Sequence, residues 1–478
     1  MYRTAFCGVI ALALPALFAA PPTYNKDIAP ILNSQCALCH RPGEVAPFSL
    51  LTYQDAAKRA QLIATITAAG VMPPWKPEPG FGKFQHERRL TPGQIALLAA
   101  WAKAGAPEGS AKDKPPAPSF TEGWQGGQPD LILKAGNGFR VPAGGNDRFQ
   151  CFVLPLNLDH DSYIRTTEFR PGNRRVVHHG VIYMDDSGAA RRLAANSPDG
   201  SYPCFGGPRV ASASTGLLDG WAPGTITQPG DPALSIPVKK GTDLVLQIHY
   251  HPDGKPETDT SEVGITFSGP PTHGRTSMLM VNTNLDIPPG DSHYVVKSSL
   301  TMPRDVEIAG LFPHAHWLCK DMKIEAHLPD GSVTPMIHIK DWDFNWQGGY
   351  RYETPMKLPK GTRIELAYTY DNSVENPRNP SNPPARVRFG EQTTDEMAVA
   401  FFTVVLPSPD DVASFRRDMR LAALDEILAS GDLTALSRLP GIRGRGQLLL
   451  QRFDTNGDGK LDDKERAALM DFLRSVMR

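Results

Sequence analysis

Beyond its first twenty residues the chain lacks any apolar run long enough to span a bilayer, and a mean hydropathy of -0.31 excludes a helical membrane bundle. It also lacks an excess of either charge. Lys+Arg 50 against Asp+Glu 51 leaves a net charge of -1, so no overall field draws nucleic acid or anionic lipid, and recognition must be local. No repeat of fixed period is present, which argues against a solenoid. Cysteine is scarce, six in 478 residues, so no disulfide-dense scaffold is built here.

What is present begins with Arg3 and an apolar stretch from Ala5 to Ala20, short and interrupted by Pro15, as in a secretory signal peptide over 1–20. The expected location is periplasmic or secreted after cleavage. Cys7 leaves with that segment. Then comes Cys36-Ala37-Leu38-Cys39-His40, in which two thiols can add to haem vinyl groups while His40 becomes the proximal iron ligand. The second axial ligand is expected from Met72 in Val71-Met72-Pro73-Pro74-Trp75, with His86 as its rival. Three cysteines remain. In an oxidising compartment two of them pair, Cys151 with Cys204 being the expectation and Cys319 the odd thiol.

Periodicity divides the rest. Residues 22–110 read as a small all-α cytochrome c domain, with helices through Ile28 and Leu32, over Tyr53 to Ala69, and from Thr91 as N-cap to Gly105. Lys114-Pro115-Pro116-Ala117-Pro118 centres a Pro/Gly-rich linker over 111–127. Short apolar runs such as Leu244 to Tyr250, Val295 to Leu300 and Ile364 to Tyr370 alternate with turn residues and predict two jelly-roll-like β-sandwich domains, 128–270 and 271–406. Residues 407–478 form a helical tail with an EF-hand.

The β-rich part gathers histidines: His178-His179, His249 at the end of a strand, and His314-Ala315-His316. Imidazole suits copper, zinc, iron and nickel alike. Alternate residues of a strand share a face, so His314 and His316 can reach one ion, whereas adjacent His178 and His179 need a strand end or a bulge to do so.

This segment resembles the copper type II, ascorbate-dependent monooxygenases, whose members include peptidylglycine α-hydroxylating and dopamine β-monooxygenases. Their first copper is held by a His-His pair and a His in a Gln-x-His-Tyr strand, here His178, His179 and His249 with Gln247 before it. Their second copper is held by a His-x-His and a Met in an Asp-Glu-Met strand, here His314, His316 and Met397. Met322 is nearer the second pair in sequence, but Asp395-Glu396-Met397 supplies the matching context. His251 reads as a neighbour of the ligands. The resemblance implies O2 activation at the Met-bearing copper, attack on a C–H bond, and ascorbate or a redox protein as electron donor, with the fused haem as relay. Peptide-hydroxylating members anchor a carboxylate at places that here hold Phe312, Val399 and Phe401, so an apolar or aromatic small molecule is the expected substrate. The alternative from another class is a non-catalytic haem and copper protein that transfers electrons or binds copper.

Last, Asp454 to Glu465 matches a calcium loop. Asp454, Asn456, Asp458, Asp462 and the bidentate Glu465 supply side-chain oxygens, Lys460 its carbonyl, and Gly459 the sharp turn.

Overall fold

The computed structural model describes residues 20–42, 44, 46–120, 123–205, 207–210, 217–223, 225, 227–430, 446–457 and 461–476. The 1–19 segment with Cys7, and Asp458, Gly459 and Lys460 of the calcium loop, lie outside the described residues. Two compact units divide the chain: 1–75 with 88–120, and 76–87 with 121–478.

In the first unit the described regular elements are helices, among them Ala29–Gln35, Tyr53–Ala57, Ala60–Ala68 and Pro92–Lys103. The last begins with a complete capping box. Thr91 Oγ1 accepts from Gln94 N and Gln94 Oε1 accepts from Thr91 N, with Pro92 in the first turn, where no amide is needed. It stops at Gly105, whose φ of +81 reverses the chain. Leu98 and Trp101 are fully buried against Ile28 and Leu32, and Trp101 Nε1 donates to the Pro107 carbonyl at 3.0 Å. The single helix expected over Tyr53 to Ala69 is instead two. The Arg59 guanidinium takes the Asp55 carbonyl at 3.1 Å while Arg59 N turns to Ala56 O, so the ladder breaks and restarts.

The second unit is rich in antiparallel sheet. A five-stranded sheet contains Arg148–Pro155, Asp243–Tyr250, Val177–Asp185 and Leu217–Trp221 in that spatial order. Its inner face packs Phe152, Ile182, Leu246 and Ile248 onto Ile164, Val263 and Ile265 of a four-stranded sheet. A second pair of four-stranded sheets follows. One is ordered Gly274–Asn282, Ala398–Leu406, Val306–His314, Tyr350–Leu358, and the other contains Cys319–His327 beside Arg363–Tyr370. Tyr368 Oη crosses between them to the Val399 carbonyl at 2.9 Å, and Tyr370 Oη to the Met397 carbonyl at 2.7 Å. Cys151 and Cys204 are joined by a disulfide, and Cys319 is buried, which pushes its thiol well up.

Residues 76–87, expected in the cytochrome domain, belong to this β-rich unit. Phe84 bridges Tyr352 and stacks on it at 5.1 Å, Gln85 N donates to Arg351 O at 2.8 Å, and Glu353 N to Lys83 O at 2.9 Å. A Cβ at Gly82 would stand 2.6 Å from the Phe84 ring, so the approach needs glycine. The tail helix Asp411–Ser430 docks through Arg416 Nε to Thr276 Oγ1 at 2.9 Å and through Thr301 N to Glu426 Oε1 at 2.9 Å.

Candidate metal centre

The strand Val177–Asp185 pairs with the His249 strand as Val177 to Tyr250 and then His179 to His249, so His178 is the extra residue of a bulge. The bulge turns adjacent side chains to one side. His178 Nδ1 and His249 Nδ1 each lie 3.3 Å from His179 Nδ1, and the three ligand atoms fall within 4.8 Å of one another. Nitrogens bound tetrahedrally at about 2.0–2.1 Å stand about 3.3 Å apart, so the spacing fits one ion between them. Burial, followed by the neighbouring His249, lowers His178 to about 3 and His179 well below the ordinary imidazole value. Both rings are neutral at pH 7, as metal ligands must be.

His249 is held by a residue that the sequence did not single out. Asp147 Oδ2 lies 3.0 Å from His249 Nε2, a close polar contact too bent for an aligned hydrogen bond, and Asp147 Oδ1 lies 2.8 Å from His251 Nδ1. With its Nε2 turned to the carboxylate, His249 presents Nδ1 to His179. The same Asp147 carboxylate accepts from Thr393 N at 3.2 Å and from Thr393 Oγ1. Burial raises the Asp147 carboxyl, but the His249 ring, then His251 and Thr393, outweigh it and hold it well below the usual carboxylate range. His251 thus touches the support of His249.

The second pair differs from the expectation of one strand face. The strand ends at His314, and His316 lies two residues beyond in a bend, yet the two rings are 5.2 Å apart. His314 Nδ1 donates to Gln347 Oε1 at 2.6 Å and His316 Nδ1 to the Asp395 carbonyl at 3.0 Å, which leaves both Nε2 atoms as acceptors. Burial lowers His314 to about 4, and His316 well below its ordinary value. The fully buried Glu396 carboxylate accepts from His316 N, Leu318 N and Met397 N at 2.8, 2.7 and 3.0 Å, tying the histidine bend to the methionine. The strand pairing brings the two segments together, its last pair being His314 opposite Val399, two residues from Met397. Met322, by contrast, is a fully buried residue of a paired strand, opposite Ile339 and Tyr368.

The two groups meet. His179 and His314 have ring centroids 6.5 Å apart, and Phe344 stacks on His178 at 4.7 Å while its ring lies 5.4 Å from His316. Beside them the sheet face is apolar: Phe312 lies parallel to His314 at 6.4 Å, Phe401 is 6.3 Å from Phe312, and Leu279, paired with Phe401, is 50% exposed. Asp147, Gln347 and Phe344 carried no sequence signal beyond being polar or aromatic residues of turn-rich segments.

In the first unit, Cys39 N and His40 N both donate to the Cys36 carbonyl, at 3.1 and 2.9 Å, and wrap the five-residue motif into one turn after the helix Ala29–Gln35. His40 Nδ1 donates to Phe48 O at 3.1 Å, leaving Nε2 with its lone pair free, and burial lowers its pKa. Met72 lies in this unit, whereas His86 lies in the 76–87 segment of the other.

In the tail, Glu465 Oε1 accepts from Thr455 N at 2.7 Å and Asn456 N at 3.2 Å, Oε2 accepts from Asp462 N at 3.0 Å, and Gly457 N donates to Asp454 Oδ1 at 2.7 Å. Hydrogen bonds from Asp462 N and Thr455 bring Glu465 to about 2, so it is ionised. Glu465 thus gathers the amides of Thr455, Asn456 and Asp462 at one carboxylate.

The chain matches no protein-family model and no curated protein. Among solved structures, N-glycanase F (PNGase F) is similar at 13% identity and a TM-score of 0.26, covering 58% of this chain and 96% of that one. PNGF-II gives 9%, 0.23, 56% and 65%, and the STIV MCP 10%, 0.24, 60% and 97%. At these scores the likenesses assign neither family nor activity.

Proposed function

We propose that the chain is a copper-dependent monooxygenase that hydroxylates a C–H bond of an apolar or aromatic small molecule with O2. The observation that carries this reading is the grouping of five histidines, three converging through Nδ1 and two orienting Nε2, with Met397 tied to His316 through Glu396. Copper supplies one-electron redox chemistry and O2 activation when bound. His178, His179 and His249 would hold one ion, and His314, His316 and Met397 the other, where the soft thioether favours Cu(I).

The chain's own residues prepare that chemistry. Burial keeps His178, His179, His314 and His316 unprotonated, Asp147, Gln347 and the Asp395 carbonyl set which nitrogen His249, His314 and His316 offer, and Phe344 packs against both His178 and His316. Phe312, Phe401 and Leu279 offer a surface for an apolar C–H donor, with no cation at Phe312 to receive a peptide carboxylate.

The first unit is the cytochrome c domain of this reading. Cys36 and Cys39 would carry the haem as thioethers, His40 Nε2 and Met72 would ligate its iron, and the haem would relay electrons. The helical tail would bind Ca2+. Export to the periplasm or exterior is supported by the apolar segment before Pro21, and no helix among the described residues is long and apolar enough to cross a membrane.

Copper-loaded protein given reductant, oxygen-18 gas and a panel of small aromatic and aliphatic compounds is expected to yield a product with one labelled oxygen. Metal analysis is expected to find two coppers and one iron per chain. Copper reduction and reoxidation with no labelled product from any compound would identify a non-catalytic carrier instead.

A further inference from the structure

Strand register arranges the outer face of the sheet that carries His314 into rows. Val281, Val399 and His314 form the first, and Leu279, Phe401 and Phe312 the second. Ser277, Thr403, Gly310 and Arg351 form the third, and Arg275 beside Val405 belongs to the fourth. Alternate residues of a strand share a face, so these stand on the side of His314, while Met278, Met280 and Phe402 are buried on the other. The face thus runs from a metal-site histidine, across an apolar floor, to two cations. At about 3.4 Å per residue, the third row lies about 14 Å from His314 and the fourth about 20 Å.

Arg275 has an unusual setting. It is half-buried, and its guanidinium makes no hydrogen bond or ion pair among the described residues. Burial lowers it below its ordinary value, and the charges acting on it are those of Asp219 and Arg351. Asp219 is already engaged, its carboxylate accepting from Thr167 Oγ1 and from Gly220 N, the latter at 2.8 Å. Two guanidinium groups against one engaged carboxylate leave a positive charge uncompensated. Ser277 Oγ, between Arg275 and Leu279, donates to the Leu217 carbonyl at 3.3 Å, so the strand Leu217–Trp221 with Asp219 borders this face. A half-buried guanidinium without an acceptor is costly, and its planar fork of donors matches a carboxylate.

We propose that Arg275, with Arg351, receives the carboxylate of an amphipathic substrate whose apolar chain lies over Phe401 and Phe312 with its far end at His314. This rests on the oxygenase reading above and names its substrate class, an aryl- or alkyl-alkanoate hydroxylated at the end remote from the acid. The remote C–H becomes C–OH, and the second oxygen atom of O2 leaves as water with two protons and two electrons from the reductant. Phe312 belongs to the floor, so the acid is held well away from the histidines and the carbon beside it does not reach them.

Phenylhexanoate, titrated calorimetrically into the full copper-loaded chain, tests the anchor. Saturable binding is expected, at least tenfold weaker in Arg275→Gln and within threefold of the parent in Arg275→Lys, with copper content and unfolding midpoint unchanged. Neutral phenylhexanol is expected to bind the parent and Arg275→Gln alike. Phenylacetate, too short to reach from the cation to Phe312, is expected to bind more weakly than phenylhexanoate. Phenylhexanoate binding that is absent, or equal in the parent and Arg275→Gln, overturns the anchor. With reductant and oxygen-18 gas the label is expected on the ring or the benzylic carbon, and label beside the carboxylate overturns the remote placement. Arginine-dependent binding without labelled product from any compound leaves the anchor standing and sinks the oxygenase reading.

Discussion

Asp147 links His249 to Thr393: the oxygen 3.0 Å from His249 Nε2 is also 3.2 Å from the backbone nitrogen of Thr393, four residues before Met397. One carboxylate thus supports His249 in one sheet pair and the loop leading to Met397 in the next. Asp147→Ala is expected to weaken copper at the first site by about 10–100-fold, the usual cost of losing such a support. Titration against a competing copper chelator checks this. Affinity within a factor of two of the parent would leave Asp147 without that role.

The two methionines near the second pair should separate cleanly. Met397→Ala is expected to lower O2 consumption at least tenfold while the copper(II) spectrum of the three-histidine site persists. Met322→Ala, emptying a fully buried position, should leave copper content unchanged and cost about 2–5 kcal/mol of stability, read by denaturant unfolding.

Unfolding should depend on pH in the metal-free chain. An unfolded histidine titrates near about 6.5, whereas folded His178 and His314 lie at about 3 and about 4. Below pH 6.5 the unfolded chain therefore binds protons that the folded chain refuses. The stability these groups contribute is complete above 6.5 and is lost as pH falls from there through 4 to 3. Glu396, raised by burial to about 7, works the other way and loses stability as pH rises from its ordinary value toward 7. A His178→Gln/His314→Gln variant isolates the histidine part: its unfolding midpoint should fall less steeply between pH 7 and 4 than the parent's.

For the haem, Met72→Ala is expected to change the visible spectrum and lower the reduction potential, since a thioether ligand raises it. His86→Ala should change neither, because in this reading Met72 fills the axial position. Spectroelectrochemical titration of the two variants checks both.

Much of this was legible where pattern and chemistry coincide. The run Leu244 to Tyr250 lies in a strand spanning Asp243–Tyr250, and Thr91-Pro92 with Gln94 marks a helix start because each group satisfies a known backbone need. The adjacent His178 and His179 demanded an irregularity, and the bulge supplies it. What was not legible depends on partners distant in sequence. His316 leaves its strand because Glu396, eighty residues on, takes its amide. Asp147 follows Gly144-Gly145-Asn146 and reads as an ordinary turn acid until His249 and Thr393 close on it. Residues 76–87 show no strand alternation, and their place is revealed by contacts distant in sequence, Phe84 against Tyr352 and Gln85 N to Arg351 O among them.

That segment governs how the protein can be divided. The polypeptide leaves the helical unit after 75, returns at 88 and leaves again after 120, so each unit is encoded in pieces. A gene cassette cut at the proline-rich stretch would yield a helical fragment carrying a foreign loop with Phe84 uncovered, and a β-rich fragment missing the strip that covers Tyr352. Exchanging the helical unit for another would have to leave residues 76–87 with the recipient, as an insertion rather than an exchange of ends.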